Sequence, residues 1–198
     1  MVFEYLKLNI TVKDEDFNSI YPEAIRILAK THWTPVIVAK EAAKFLSEKS
    51  GTKVLDIGSG VGKFCMVGAT FTKGHFTGIE QRESLCNLSN HLSQCYRLSN
   101  VKFIHSNITQ IKFREYDAFY FYNPFHENIE QSAKIDGSVE LGITFYYLYT
   151  QYVYEQLGQM PIGTRLATYW SNFKDIPPCY KIQSTSFEGL LNMWEKTS

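Results

Sequence analysis

Hydrophobic and polar positions alternate first near the start of the chain. Leu6, Leu8, Ile10 and Val12 interleave with Lys7, Asn9, Thr11 and Lys13, and a period of two predicts a strand. An acidic loop over 14–16 follows, then a short helix over 20–29. Thr34-Pro35 opens a longer helix that runs to about Glu48, with Thr34 as N-cap and Pro35 in the first helical position. From residue 53 onward, short apolar runs alternate with helical stretches. Strands are predicted over 53–57, 75–80, 101–105, 117–122 and 163–170, and helices over 63–69, 82–98 and 145–157. The last helix sets Phe145, Leu148, Tyr149, Tyr152, Val153 and Leu157 on one face. Two more strands, 180–186 and 190–196, have no helix between them, so at least one runs antiparallel. The rest of the alternation predicts parallel βαβ units with right-handed crossovers. The stretch 123–142 shows no period and is long for a connection, which predicts a mobile lid over a site at 125–142.

Candidate chemistry concentrates at the ends of these strands. The first central strand runs into Asp56-Ile57-Gly58-Ser59-Gly60-Val61-Gly62, a G-x-G-x-G turn followed by a helix. Glycines there let the chain turn tightly and bring backbone N–H groups against a ligand. A dinucleotide site would read G-x-G-x-x-G, but the sixth position here is Lys63. Asp56 can accept hydrogen bonds from an ammonium group, which a dinucleotide lacks. Glu80, 24 residues after Asp56, ends the next strand with Gln81 beside it, where a carboxylate can take both hydroxyls of a ribose. After the third strand, the Asn107 side chain can accept from an adenine amino group, and the Ile108 N–H can donate to a ring nitrogen.

These residues resemble the class I S-adenosylmethionine-dependent methyltransferases. Asp56 to Gly62 looks like that family's glycine motif, and Glu80 looks like its ribose-binding acid. The resemblance covers roughly residues 34–198. It implies a Rossmann-like three-layer α/β sandwich, with a mostly parallel seven-stranded sheet and an antiparallel C-terminal strand. It implies S-adenosylmethionine as cofactor, held by Thr34, Asp56, Gly58, Ser59, Gly60, Gly62, Glu80, Gln81, Asn107, Ile108 and Asn123. The fourth strand leads into Asn123-Pro124-Phe125-His126, similar to a shortened Asn/Asp-Pro-Pro-Tyr/Phe motif of amino-group methyltransferases. It also resembles the Asn-Asn-Phe segment of histone lysine methyltransferases that lack a SET domain. As candidate catalytic residues, the Asn123 carboxamide can hold a target N–H and aim its lone pair, Pro124 holds the chain extended as it leaves the sheet, Phe125 can stack on a flat substrate or face a cation, and His126 can take a proton from the nucleophile.

Composition narrows this picture without changing it. The 198 residues suit one domain, read as an N-terminal extension over 1–33 and a catalytic core over 34–198. Lys+Arg and Asp+Glu are both 20, so no global basic field draws in nucleic acid. A protein or small-molecule methyl acceptor is therefore expected ahead of nucleic acid, with no membrane partner. No signal peptide is read at the start, and the four cysteines show no C-x-x-C spacing, which predicts free thiols, no metal site and a cytoplasmic protein. Two other functions fit part of the pattern. One is a non-catalytic S-adenosylmethionine-binding regulatory protein, the other an NAD(P)-dependent oxidoreductase. Oligomeric state is not legible.

Overall fold

A computed structural model describes residues 2–132 and 134–198. The alternation of strands and helices folds as βαβ units. The strands are β1 (Lys53–Ile57), β2 (His75–Glu80), β3 (Val101–His105), β4 (Ala118–Tyr122), β5 (Arg165–Tyr169), β6 (Tyr180–Ser186) and β7 (Leu191–Lys196). They form one seven-stranded sheet in the order β3-β2-β1-β4-β5-β7-β6. Neighbours from β3 to β5 are parallel, and β7 is antiparallel to both β5 and β6. The helices are α1 (Val2–Lys7), α2 (Asp14–Asn18), α3 (Glu23–Ile27), α4 (Ala29–His32), α5 (Val36–Leu46), α6 (Lys63–Phe71), α7 (Glu83–Cys95) and α8 (Ile143–Gly158). None of the described helices is long and apolar enough to cross a membrane.

The strand period of two divides the core. Val54, Ala118, Tyr120 and Ala167 point to one face, where α5, α6 and the N-terminal helices cover them. Leu55, Ile57, Phe119, Phe121 and Leu166 point to the other, under Tyr149, Val153 and Leu157 of α8. Parallel strands covered on both faces read as continuous apolar runs, which is how β1 and β4 read. The three layers leave the C-terminal ends of β1, β2, β4 and β5 side by side, at the strand-order reversal where open α/β sheets bind ligands.

The N-terminal segment differs from its reading. Residues 6–13 form no strand; α1 runs through Lys7, and Leu8 and Ile10 are exposed. The buried pair is Phe3 and Leu6, three apart on a helix, joined by Phe17 of α2. Residues 14–16 open α2 in place of a loop, and 20–29 split into α3 and the start of α4. Thr34 does not cap α5. Pro35 holds the N-cap position, and the Val36 N–H is capped instead by Asp14 Oδ1 at 2.9 Å. On α8, Leu148 is exposed, not buried with Tyr149 and Val153.

Candidate functional site

A cavity of about 480 Å³ opens at the strand-order reversal. Its floor is the glycine loop. Gly58, Gly60 and Gly62 all adopt left-handed backbone, with φ of 74°, 53° and 75°. Close approach needs them as much as the φ values do. A Cβ on Gly58 would lie 2.6 Å from Pro124 Cβ, and one on Gly60 would lie 2.5 Å from the Trp33 ring. The loop is thus clamped between the β4 tip and the segment preceding α5. The Gly58 and Ser59 N–H groups donate to Ile79 O at 3.0 and 2.9 Å.

Glu80 stands at the tip of β2, buried and lining the cavity. Its Oε2 accepts from the Gly60 N–H at 2.9 Å, and its Oε1 accepts from the Arg82 N–H at 2.8 Å. Each oxygen keeps a second lone pair, so a diol can still be bound. Burial raises the carboxyl above the ordinary range, against the pull of Arg82 and Gly60. Gln81, Ser106 and Ile108 continue this wall. Asn107 lies outside it. Its Oδ1 accepts from the Thr109 N–H at 3.0 Å and the Thr109 hydroxyl at 2.9 Å, and its Nδ2 donates to the Tyr149 hydroxyl at 2.8 Å. Gly62 is also outside the lining.

Asp56, Ser59 and Thr34 line a small recess that shares Gly58 and Trp33 with the cavity. The Thr34 hydroxyl pairs with the Tyr120 hydroxyl at 2.9 Å. Burial raises the Asp56 carboxyl to about 8, partly offset by a Cys65 thiol 3.4 Å away and reinforced by Glu80. A carboxyl with a raised folded-state pKa contributes stability that is complete below about pH 4 and is lost as the pH rises through 8. Asp56→Asn removes that loss. We expect its stability advantage over the parent to grow between pH 5 and 8 to on the order of 3 kcal/mol, then level off. Urea unfolding of both proteins across pH 5–9 checks this, and a difference that stays flat with pH would refute it.

Lys63, the residue in the sixth position of the glycine pattern, is buried. Its ammonium pairs with Asp14 and donates to Asn18 Oδ1 at 2.9 Å. Since Asp14 also caps α5, one carboxylate ties the N-terminal helices to both the glycine loop and the entry to α5. The Tyr21 hydroxyl adds a bond to Val61 O at 3.3 Å.

The opposite wall is the tip of β4. Asn123, Pro124, Phe125 and His126 all line the cavity. Asn123 has φ 40°, and its carboxamide has no partner among the described residues. Phe125 packs against Tyr149 with centroids 5.5 Å apart, so its ring leans toward α8. Arg82 and Trp170, also in the lining, were missed by sequence reasoning. Arg82 is buried and grips the segment after β4. It pairs with Glu127 through both terminal guanidinium nitrogens at 3.0 and 3.2 Å, and with Asp136 through Nε at 3.0 Å. Glu127 also accepts from the Ile135 N–H at 2.6 Å. The stretch expected as a lid carries one 3-10 turn, His126–Asn128, and is otherwise irregular among its described residues; Ala133 lies outside them. Nothing in the sequence around Arg82 signals a partner 45 or 54 residues away.

A family model described as a methyltransferase domain matches residues 48–135. No curated protein matches the chain by sequence. Among solved structures, the chain is similar to TrmN from Thermus thermophilus, at 16% identity and TM-score 0.61, over 85% of this chain and 51% of that one. It is similar to an RNA methyltransferase from Salinibacter ruber in complex with S-adenosyl-L-homocysteine, at 14% identity and TM-score 0.58, over 90% and 94% of the two chains. It is also similar to a SAM-dependent methyltransferase from Aquifex aeolicus, at 16% identity and TM-score 0.55, over 81% and 89%. The chain spans about half the length of TrmN, and identities this low show a shared fold.

Proposed function

We propose that the protein is a class I S-adenosylmethionine-dependent methyltransferase that binds S-adenosylmethionine in the cavity and transfers its methyl to a nitrogen nucleophile. A protein or small-molecule acceptor is favoured ahead of nucleic acid, and the setting is the cytoplasm. One observation carries the reading. The buried Glu80 carboxylate, Gly58 and Gly60 of the glycine loop, and Asn123 at the tip of β4 line one cavity. An oxidoreductase reading is not favoured, because Lys63 fills the place of the third dinucleotide glycine and is held by Asp14.

The residues fit the cofactor. Gly58 and Gly60 bring bare backbone to the cavity lining, and the free lone pairs of Glu80 suit two ribose hydroxyls. Asp56, in the adjoining recess, suits the ammonium of the methionine end once ionised. Bound there, S-adenosylmethionine supplies an electrophilic methyl on a sulfonium. Asn123 accepts an N–H of the acceptor and aims the nitrogen lone pair at the methyl carbon. Held there, the sulfonium would give up its methyl to that nitrogen and leave as a neutral thioether. The nitrogen then loses its proton to His126 or to water. Positioning is the main catalytic task in such an in-line displacement.

Two measurements test this. The purified protein should bind S-adenosylmethionine and S-adenosylhomocysteine by calorimetry and show no heat with NAD. With an acceptor in hand, Asn123→Ala should lower the single-turnover rate by about 100-fold while leaving cofactor affinity within about twofold. Unchanged turnover would remove Asn123 from the mechanism, and NAD binding without S-adenosylmethionine binding would overturn the reading.

A further inference from the structure

Trp170 follows the last residue of β5 and is 57% exposed, yet it lines the cavity. Its backbone is left-handed at φ 53°, a conformation that a bulky side chain rarely adopts. The β4–β5 register pairs Tyr122 with Tyr169, so Asn123 and Trp170 are the next residues on adjacent strands, and both are left-handed. Ser171 ties them together, accepting from the Asn123 N–H at 3.4 Å and donating to Tyr169 O at 3.1 Å. The Trp170 N–H donates to Leu190 O at 3.0 Å, which fixes the backbone but not the ring. The indole contacts no other ring and its N–H has no partner among the described residues. Strained backbone that presents an uncommitted side chain at a cavity mouth is the pattern of a functional position.

Resting on the proposed nitrogen-directed transfer, we propose that Trp170 is the acceptor platform, stacking a neutral, flat heteroaromatic amine of the kind a nucleoside carries. Phe125 packs on Tyr149 and Tyr122 packs on Tyr169, whereas the Trp170 indole has no ring contact among the described residues. An aliphatic ammonium would also be drawn to an indole, and it is the rival that the test separates from a flat ring. The carboxylates in the lining are engaged: Glu80 by two backbone N–H groups, Glu127 by Arg82, and Glu130 by the Ser132 N–H at 3.0 Å. Lys30 adds a positive charge at the same mouth. A heteroaromatic amine is uncharged at neutral pH, so it needs no prior deprotonation, and it offers a flat face for an indole to stack on. The balanced overall charge of the chain bears on long-range attraction of a polyanion and not on one stacked ring.

The test uses the full chain loaded with S-adenosylhomocysteine and titrated with cytidine, guanosine and adenosine. A mixed-sequence single-stranded RNA oligonucleotide, n-butylamine and a lysine-containing peptide complete the set. At least one nucleoside should bind. Trp170→Ala should weaken it at least tenfold and Trp170→Phe by no more than about threefold, with S-adenosylhomocysteine affinity within twofold in both. Tighter binding of the oligonucleotide than of the nucleosides would assign the ring to a strand, and the reverse would assign it to a free nucleoside. Either supports the platform. Equal nucleoside affinity in the parent and Trp170→Ala would overturn it. So would methylation of butylamine or the peptide with no nucleoside bound, while leaving nitrogen transfer intact. Failure of the parent to bind S-adenosylhomocysteine would overturn the functional reading itself.

Discussion

Glu80→Ala is expected to weaken S-adenosylmethionine binding by about 30- to 150-fold, or about 2–3 kcal/mol, while the protein stays folded. Two losses combine. The carboxylate's free lone pairs no longer meet the ribose, and the Gly60 and Arg82 N–H groups lose the acceptors that hold the cradle in shape. Glu80→Gln separates the two. An amide offers one oxygen where the protein presents two N–H donors, so one donor must face an NH₂ group, and the loss should approach that of alanine. Calorimetry with S-adenosylhomocysteine, alongside circular dichroism to confirm folding, reads both. Affinity within threefold of the parent in a folded Glu80→Ala protein would mean that this carboxylate does not hold the cofactor.

The largest effect on stability is expected at Gly62. An alanine there has to hold φ 75°, and its Cβ would overlap the buried Phe103 ring. Phe103 does not give way easily, because it is a buried core residue of β3. The cost should be about 2–4 kcal/mol, lowering the melting temperature by about 5–12 °C for a chain of this length. Gly137→Ala is the control. Nothing lies within 4 Å of its added Cβ, so its melting temperature should move by no more than about 1–2 °C. Phe103→Leu in the Gly62→Ala background should recover part of the loss by relieving overlap but not backbone strain. A Gly62→Ala protein that melts with the parent would show that the turn relaxes freely and that glycine is not required there.

The sheet and its glycine loop were legible because their signals are local. An apolar run ending in glycines, an acid at the next strand's end and two strands without a helix between them each sit within a few residues. The N-terminal segment was misread for the same reason. The alternation of Leu6, Leu8, Ile10 and Val12 mimics a strand, but Leu8 and Ile10 are exposed, and the burial of Phe3, Leu6 and Phe17 is what places the helices. What local reading cannot supply is a partner far along the chain. Thr34 is a good N-cap by type, yet the cap comes from Asp14, 22 residues earlier. Asn107 stands where an adenine contact is expected, yet its oxygen closes a turn onto Thr109. Arg82 and Trp170 join the site through contacts or strand register that only the assembled sheet defines.

The strand order carries a consequence for how the chain is made. β7 lies between β5 and β6 but follows both in sequence. When β5 leaves the ribosome, the edge that β7 will occupy is bare, and β6 has nothing to pair with. At ordinary synthesis speeds the interval from Tyr169 to Lys196 lasts roughly 1–5 s. Through that time Leu166 and Tyr169, buried in the finished protein, flank an unpaired hydrogen-bonding edge. The nascent chain is thus most exposed to wrong pairing just before its last two strands zip together, and a crowded polysome is where such a lapse would cost most.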